Sequence, residues 1–484
     1  MSPLVLRSRG ARLRVGATAT VCVVLAELVA VGVPAPISAQ SVAKATENTP
    51  APLALTMDMV VRRAVAHNAA VSVAQQQASA AGARVKQARS ALLPQVSATA
   101  TRSQWTRNSA EFGFIMRDAG GQPLLNPAGE VLGPIRALDV RATVQQRLID
   151  PAAIARVRAA QAAEAAAEAE TDAAASEAAT AAAHAFISVL RAEAQLSAIT
   201  EDSTMAAELA ADAARRHAAG LAIALDVTRA DAQVVSTRAA LVSARAQRLR
   251  AELILKRATG LAVDAALVLG DSLGTHALSG DVRAAMPVEA DDDDLRRSVV
   301  SALRKRDDVR SADAQVTAAR RERNAVRAEF LPTISVVADR GALGTTRNRL
   351  LPTYTWGVQL SVPVFDGFRR LRRVDEQGAL LQITVILQRD LAEQVALDVR
   401  EARLSSATAQ AAVEAANERL TLAVRELDQT LERFKAGLAG SAEVITAQVA
   451  LSASRVQRIE RLAEMAAARI DARYARGEPQ GSRN

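Results

Sequence analysis

A nearly unbroken helical run, Pro151–His217, constrains the fold of this chain more than any other feature of its sequence. The run is dominated by alanine, which has the highest helix propensity and allows helix axes to approach closely. At 1.5 Å per residue, a helix of this length extends roughly 100 Å. Such lengths are typical of coiled coils and extended assemblies. The sequence therefore predicts a mainly α fold of long antiparallel helices.

A second region of the chain has the same organisation, which indicates a two-fold internal repeat of strand, long helix, tip and helix. In both copies a helical stretch ends at a Leu-Pro pair, and a short segment of alternating polarity follows. Each copy then reaches an aspartate, Asp150 or Asp366, before its long helix. From this aspartate to the glycine after the long helix, Gly220 or Gly437, the copies span 70 and 71 residues. The two long helices are therefore expected to end at the same height.

The alternating segments predict four β-strands, each with one apolar and one polar face. In the first copy they lie at about 95–105 and 138–149, with a long loop over 106–137. In the second copy they lie at about 333–340 and 354–365, with a loop over roughly 341–353. The last strand is expected to present a continuous apolar face formed by Tyr354, Trp356, Val358, Leu360, Val362 and Val364.

Apolar-out and polar-in alternation over about ten residues is typical of a strand in a membrane β-barrel. Open strand edges are not tolerated in lipid, so we expect strands of other chains to close the sheet. The apolar face from Tyr354 to Val364 is then expected to contact lipid. Trp105, near the loop end of its strand, is expected to be an interfacial aromatic residue. A small soluble β-layer with these aromatic residues in its core is the alternative.

The N-terminus has the pattern of a secretory signal peptide over 1–39. Four arginines precede an apolar stretch over 15–33, and small residues follow it. An uncleaved membrane anchor is the alternative. No later segment approaches about 20 continuous apolar residues, so no membrane-spanning helix is expected in the mature chain. Cys22 is the only cysteine and lies within this segment, so neither a disulfide nor a thiolate metal site is expected afterwards.

The predicted organisation of the whole chain follows from these signals. The main divisions are a signal peptide over 1–39, an N-terminal lead over 40–57, a first repeat over 58–260, a linker over 261–290, a second repeat over 291–477 and a tail over 478–484. The repeats open with Leu-Pro helices over 58–90 and 292–330. After the strands, the first repeat has a long helix over 151–217, a tip over 218–224 and a return helix over 225–259. The second repeat has a long helix over 367–435, a tip over 436–442 and a return helix over 443–476.

The chemically reactive residues form no motif, so we expect no catalytic residues, no cofactor and no metal site. The histidines are scattered, without paired ligands or a nucleophile, at His67, His184, His217 and His276. No Gly-rich phosphate loop occurs in the sequence. The net charge of +8 arises from acidic and basic residues that alternate along helices, so a nucleic-acid surface is not expected either.

These elements together resemble the TolC-like outer-membrane efflux protein family over about 52–477. The resemblance rests on Leu-Pro before the strands and on Val-Pro-Val-Phe-Asp-Gly at 362–367, which leads into a long helix. It rests also on Arg-Phe-Lys-Ala-Gly-Leu at 433–438, followed by Glu443-Val444-Ile445 and Ala447. It implies a homotrimer in which each protomer adds four strands to a twelve-stranded outer-membrane β-barrel and its helices to a periplasmic α-barrel.

The resemblance also implies partners and a passive conduction mechanism. The family forms the outer-membrane exit of tripartite efflux pumps or type I secretion systems, with a periplasmic adaptor and an inner-membrane transporter. Its Gly-Leu turns form the periplasmic tip where the adaptor docks. Here the tip residues are Ala219, Gly220, Leu221, Ala436, Gly437 and Leu438. A tight turn that uses glycine to end a helix is the plainer interpretation of these residues.

Family members often carry two acidic residues, three apart, that ring the closed pore just after the second tip. Here Glu443 fits the first position, but Thr446 occupies the second. In the first copy Asp226 is followed three residues later by Arg229. Asp226 and Glu443 are therefore the candidates for the pore constriction, and a weaker acidic ring is expected. A helix-start charge is the alternative role for Glu443.

A soluble periplasmic coiled-coil adaptor or structural protein is the alternative function class. Such a protein would lack the apolar outward faces of the strands. Its mature form would also be soluble without detergent.

Overall fold

The computed structural model describes residues 53–112, 117–124, 126, 128–278, 292–346 and 349–478. All of them belong to one compact unit, Pro52–Asn484. The expected signal peptide over 1–39 lies outside the described residues, as does most of the tail. The prediction of a mainly helical chain with a small β part is confirmed.

The described helices vary greatly in length. In chain order they are α1 (Met57–His67), α2 (Ala69–Ser90), α3 (Pro151–Ala218), α4 (Ala224–Thr259), α5 (Leu273–Leu278), α6 (Asp292–Lys305), α7 (Asp307–Ala328), α8 (Arg369–Lys435) and α9 (Ser441–Ala475). The described strands are β1 (Leu53–Leu55), β2 (Gln95–Asn108), β3 (Val131–Ile149), β4 (Leu267–Leu269), β5 (Thr333–Gly344) and β6 (Leu350–Ser361).

The helix α3 is 68 residues long and starts directly after β3. Asp150 caps it by accepting a hydrogen bond from the Ala153 N–H at 2.8 Å, and Pro151 fills the first helical position. Burial alone would raise the pKa of Asp150. The Ala153 N–H and the guanidinium of Arg147 outweigh burial and lower that pKa.

Four long or medium helices surround α3 and give it a central position. Its first half packs against α2 and α7, and Arg156 pairs there with Glu329 at the end of α7. Its second half packs against α4 and α9, where Glu193 pairs with Arg248 of α4. Most of the buried residues of α3 are alanines, so the neighbouring axes can lie close together.

The largest hydrophobic cluster lies midway along α3, around Phe186. Beside it, β1 and β4 form a parallel two-stranded sheet, and the Met57 N–H donates to Asp271 at 2.9 Å. The sequence assigned no structure to these parts of the lead and the linker. Strands of three residues are too short to show a periodic pattern, so no sequence signal predicted this small sheet.

Two expected helices are each interrupted once. The helix expected over 58–90 breaks at Asn68, whose side chain accepts from the Ala70 N–H at 2.8 Å and so caps α2. The helix expected over 292–330 breaks at Arg306, which precedes α7. In both places the backbone turns to an extended conformation that local helix propensity does not reveal.

The side chain of Arg306 joins three helices at this second break. It pairs with Asp308 of α7 at 2.7 Å and with Asp398 of α8 at 2.7 Å. Its guanidinium also lies over the ring of Tyr474 of α9, 4.9 Å from the centroid. Burial alone would lower the pKa of Arg306, but the hydrogen bonds with the two aspartates outweigh it and raise that pKa.

The four longer strands form an antiparallel sheet in the order β2-β3-β5-β6. The loop expected over 106–137 is shorter, because β3 begins at Val131 rather than near 138. The ladder between β2 and β3 continues on both sides of Gly133-Pro134 with a shift in register. These two residues therefore form a β-bulge within the strand and not a turn.

The loop expected over 341–353 is also largely strand, since β5 ends at Gly344 and β6 begins at Leu350. Gly341 lies opposite Arg141, and a Cβ atom there would come within 2.5 Å of the Arg141 Cβ atom. Glycine at this position therefore allows β3 and β5 to approach each other closely. The strand expected over 354–365 ends at Ser361, before Pro363, which has no N–H to donate to a ladder.

One described helix, α3, contains a stretch that is long and apolar enough to cross a membrane, and half of this stretch is buried inside the chain. The alanines of this stretch pack against neighbouring helices, and these contacts account for its apolar composition.

We predict that Arg306→Leu lowers the free energy of unfolding by about 3 kcal/mol, because it leaves two partly buried carboxylates without their partner. Denaturant unfolding followed by circular dichroism measures the change. Arg310→Leu is the matched control, since Arg310 is exposed and its pairing contributes at most about 0.5 kcal/mol. Equal effects of the two substitutions would contradict the role given to Arg306.

Candidate functional site

The two faces of the four-stranded sheet differ in chemistry. Residues directly opposite each other in a ladder share a face, so the register assigns each side chain to one side. One row across the sheet is apolar and consists of Val96, Val144, Ala338 and Trp356. The next row, on the other face, is polar and consists of Ser97, Thr143, Asp339 and Thr355.

The apolar face carries large side chains that no part of the described chain covers. Tyr354 is 78% exposed and Trp356 71%, and Val358 and Leu360 are also exposed. The four belong to β6, which is an edge strand of the sheet. Val362 and Val364, expected to continue this face, are exposed but follow the end of the strand.

Trp105 lies on the polar face of the sheet. It pairs with Ile135 and lies nine positions after Val96 along β2, so it is on the opposite face from Trp356. Its expected role as an interfacial aromatic residue stays a prediction. Sequence position alone gave its height along the strand, whereas cross-strand pairing decides its face.

The polar face contains a cluster of three charges that connects β3 with β5. The Arg141 guanidinium donates to both oxygens of Asp139, at 3.1 and 3.0 Å, and to Asp339 at 3.0 Å. The ladder between these two strands joins the two hairpins of the sheet. This ion-pair cluster therefore couples the hairpins on the side that faces away from the apolar surface.

At the opposite end of the long helices, two turns have the same hydrogen-bonding pattern. The Leu221 N–H donates to the Arg216 carbonyl, and the Leu438 N–H donates to the Arg433 carbonyl, both at 2.8 Å. Gly220 and Gly437 have φ values of 73° and 74°, as expected at the end of a helix that closes in a Schellman motif.

The leucine after each glycine points away from the protein. Leu221 is 79% exposed and Leu438 72% exposed. Apart from the adjacent residues in sequence, no heavy atom of the described chain lies within 4 Å of the place that a Cβ atom would take on Gly220 or Gly437. The two turns, which we call the tip turns (219–223 and 436–440), thus present backbone and leucine side chains without covering contacts from the described chain.

The two tip turns lie beside each other. Ser441 at the start of α9 donates a hydrogen bond to Asp226 in the first turn of α4, with an oxygen–oxygen distance of 2.5 Å. The Arg216 guanidinium lies over the ring of Phe434, 4.1 Å from its centroid. Asp226 is therefore engaged in a link between the tips. The sequence did not indicate Ser441, because the two residues are 215 positions apart.

Glu443, the second candidate for the constriction, is about half exposed and lies 3.6 Å from Arg433. Arg433 is itself exposed, so this contact leaves the carboxylate accessible to solvent. Asp226 and Glu443 occupy equivalent places, each in the first turn of a return helix. Both carboxylates are also suited to the positive end of a helix dipole.

A second link joins the two halves of the chain further from the tip turns. The carboxylate of Asp202 on α3 is buried, accepts a hydrogen bond from Ser452 of α9, and pairs with Arg455 at 3.2 Å. Gln448 of α9 is buried beside them. Sequence patterns did not single out Asp202, since one acidic residue in an alanine-rich helix resembles a solvated charge.

The histidines do not meet one another. His184 pairs with Asp471 at 2.7 Å, and His276 pairs with Asp271 at 3.0 Å. Within the residues that the structure describes, no group of three or more His, Cys, Asp or Glu side chains could hold a metal ion. Each of these two pairs joins different elements or closes a local turn, which is a structural role.

We predict that Asp226 and Ser441 are energetically coupled by about 1 kcal/mol, because a partly exposed hydrogen bond to a carboxylate contributes this much. A double-mutant cycle with Asp226→Ala and Ser441→Ala, followed by denaturant unfolding, measures the coupling. Thr446→Ala replaces Ser441→Ala in the control cycle, since the Thr446 hydroxyl bonds only within its own helix. Additivity in both cycles would refute the link.

The chain is similar to known proteins over most of its length. A family model described as outer membrane efflux protein matches residues 60–261 and 299–477. The Protein CyaE of Bordetella pertussis is 27% identical over 374 residues, which cover 72% of this chain and 75% of that protein.

Solved structures share the fold at low sequence identity. The outer membrane protein VceC of Vibrio cholerae superposes with a TM-score of 0.69 at 18% identity, covering 88% of this chain and 96% of that one. The CmeC outer membrane channel of Campylobacter jejuni superposes with a TM-score of 0.70 at 15% identity, covering 91% of this chain and 92% of that one.

Proposed function

We propose that this chain, which belongs to the outer membrane efflux protein family, forms the exit duct of a tripartite efflux or type I secretion system. The observation that carries the proposal is a sheet with an exposed apolar face that continues directly into helices about 100 Å long. Such a molecule can span an outer membrane with its strands and the periplasm with its helices. The duct conducts substrate passively.

Three copies of the chain close the duct, and the edges of the protomer support this. The strands β2 and β6 each have a neighbour on one side only. Strands in lipid must pair on both sides, because no water is present to satisfy their backbone groups. Pairing β6 of one copy with β2 of the next produces a closed barrel with the polar face, including Asp139 and Asp339, toward the water-filled bore.

The helices at the edges have matching apolar stripes. The side of α4 that packs on α3 contains buried residues such as Ala230, Val234 and Ala244. On the opposite side of α4 a heptad row is exposed and consists of Val235, Val242 and Leu249. The other edge helix, α8, exposes Ile383, Leu397 and Leu404 at the same spacing, with the exposed Asp390 between the first two. We assign these two stripes to the contact between neighbouring protomers.

The periplasmic adaptor docks at the tip turns. Leu221 and Leu438 offer apolar anchors, and the closed helix ends around them are rigid because their last carbonyls are already bonded. Side chains that extend from a fixed backbone lose little entropy on binding. The adaptor in turn connects the duct to an inner-membrane transporter, which supplies the energy.

Asp226 and Glu443 form the constriction at the same end of the duct. Opening requires the tip helices to separate, and adaptor binding at the tip turns can favour the open state. The link from Ser441 to Asp226 holds the two tips of one protomer together. Glu443 is the more accessible carboxylate, so it contributes more to the charge seen by a passing ion.

A soluble periplasmic adaptor, the alternative from the sequence, is not favoured. The family model covers both halves of the chain, and the similar solved structures are outer-membrane proteins. The exposed apolar face of β6 also fits a lipid environment better than water.

We predict that the pair Val242→Glu and Leu249→Glu prevents trimer formation, because the carboxylates would be buried in an apolar seam. The test measures the mass of the purified protein in detergent by light scattering. Ser236→Glu is the matched control, since Ser236 is an exposed residue of α4 outside the stripe. A stable trimer of the double variant would contradict the assigned contact.

We predict that the trimer conducts ions in a planar bilayer and that Glu443→Ala changes its cation preference. Removing three carboxylates from the narrow end lowers the local attraction for cations. Single-channel conductance and reversal potentials in a salt gradient give the readout, with Glu376→Ala, an exposed carboxylate near the sheet end of α8, as control. Absence of any conductance from a correctly folded trimer, even with Glu443→Ala, would reject the duct.

A further inference from the structure

The charged residues of the four longer strands are divided unevenly between the two faces of the sheet. Both carboxylates, Asp139 and Asp339, lie on the polar face and pair there with Arg141. The apolar face has no carboxylate within these strands but has three exposed arginines, Arg102, Arg136 and Arg340. None of the three forms an ion pair with another residue of the described chain.

Two of these arginines are neighbours. Arg102 of β2 lies opposite Leu138, and Arg136 of β3 lies opposite Gln104, so the arginines are diagonal partners on one face. Cα atoms of such partners are about 7–8 Å apart. At this backbone spacing both long side chains can reach a single anion, whose charge would offset the repulsion between the two guanidinium groups.

The position of the two arginines along the strands determines at which depth in the membrane they would bind an anion. At the other end of the sheet, β2 follows α2 and β3 leads into α3, so Arg136 lies toward the hairpin end of β3, whereas Arg102 lies at the middle of β2. In the proposed duct the helices are periplasmic, which places the hairpin end at the outer surface of the membrane. Nearer the helices, the same face of the sheet carries the small apolar side chains of Ala98, Ala100 and Val140.

A charged side chain on the lipid face is costly at the bilayer centre and much less so near the headgroups. The arginines are long enough to extend toward that level while their methylene groups remain on the apolar surface. The anions available there are headgroup phosphates. A guanidinium fork matches phosphate oxygens with two parallel hydrogen bonds.

We propose that Arg102 and Arg136 together bind a phosphate group of the phosphorylated glycolipid in the outer leaflet, one site per protomer. The inference rests on the proposed function, since it requires the apolar face to lie in the membrane. Arg340 lies beside Tyr354 and several residues nearer the helices, so it is not part of the pair. The site anchors the rim of the barrel at a fixed depth in the outer leaflet.

Binding of lipid A with two phosphates to the delipidated trimer, measured by native mass spectrometry, tests the site. We expect the Arg102→Gln and Arg136→Gln double variant to bind at least about tenfold more weakly than the unchanged protein. Arg107→Gln is the matched control, because Arg107 belongs to the same strand but shares the polar face with Trp105. The control is expected to bind as the unchanged protein does. Each single variant is expected to lose part of the affinity, which keeps the test valid if the double variant does not assemble.

Three results would overturn the proposal. They are equal affinity of the double variant and the unchanged trimer, equal binding of lipid A without phosphates, and equal binding of phosphatidylglycerol. The last would mean that the arginines accept any anionic lipid. Conductance of the same preparations separates this inference from the proposed function. A conducting trimer without phosphate-dependent binding rejects the site alone, whereas a correctly folded trimer without conductance rejects the duct.

Discussion

The packing of α3 against its neighbours is the interaction on which the rest of this structure depends. Small alanine side chains let the axes of α2, α7, α4 and α9 approach α3 closely, so many weak dispersion contacts add up along its length. Because α3 continues without interruption from β3 to the first tip turn, it holds the sheet and the tip at a set separation. The helix α8, with 67 residues against 68, sets the same separation for the second half.

Polar contacts between the halves determine the alignment of helices that alanine packing alone would leave free to slide. An alanine surface has little shape to define one register, whereas a buried charge must meet its partner or lose its solvation. Arg306 defines the position of α7 relative to α8 and α9. Asp202 does the same for α3 and α9 further along, and Asp226 with Ser441 does so at the tips. Each of these contacts joins elements distant in sequence, so none was visible as a local motif.

The stability of the sheet depends on what surrounds it more than on contacts within the chain. Its large apolar side chains are exposed and its two edge strands lack one neighbour each, which a stable soluble sheet would not leave open. Lipid and further copies of the chain are the partners that the proposed duct supplies. Trp105, near the hairpin end, lies on the polar face of the sheet, opposite the exposed aromatic residues of β6.

The sequence by itself determined the family and the location in the outer membrane through the resemblance of its motifs, and the mainly helical composition through its periodicity, because motifs and periodicity are local properties of the chain. It also indicated the turns at Gly220 and Gly437 as a site. Only the tertiary structure decided the breaks at Asn68 and Arg306, the parallel pairing of β1 with β4, and the true ends of the strands at Val131 and Ser361. These features arise from partners far apart in sequence. Gly341 illustrates the reason, since the sequence places it in the expected loop over roughly 341–353, whereas the close approach of Arg141 from the neighbouring strand requires a glycine there.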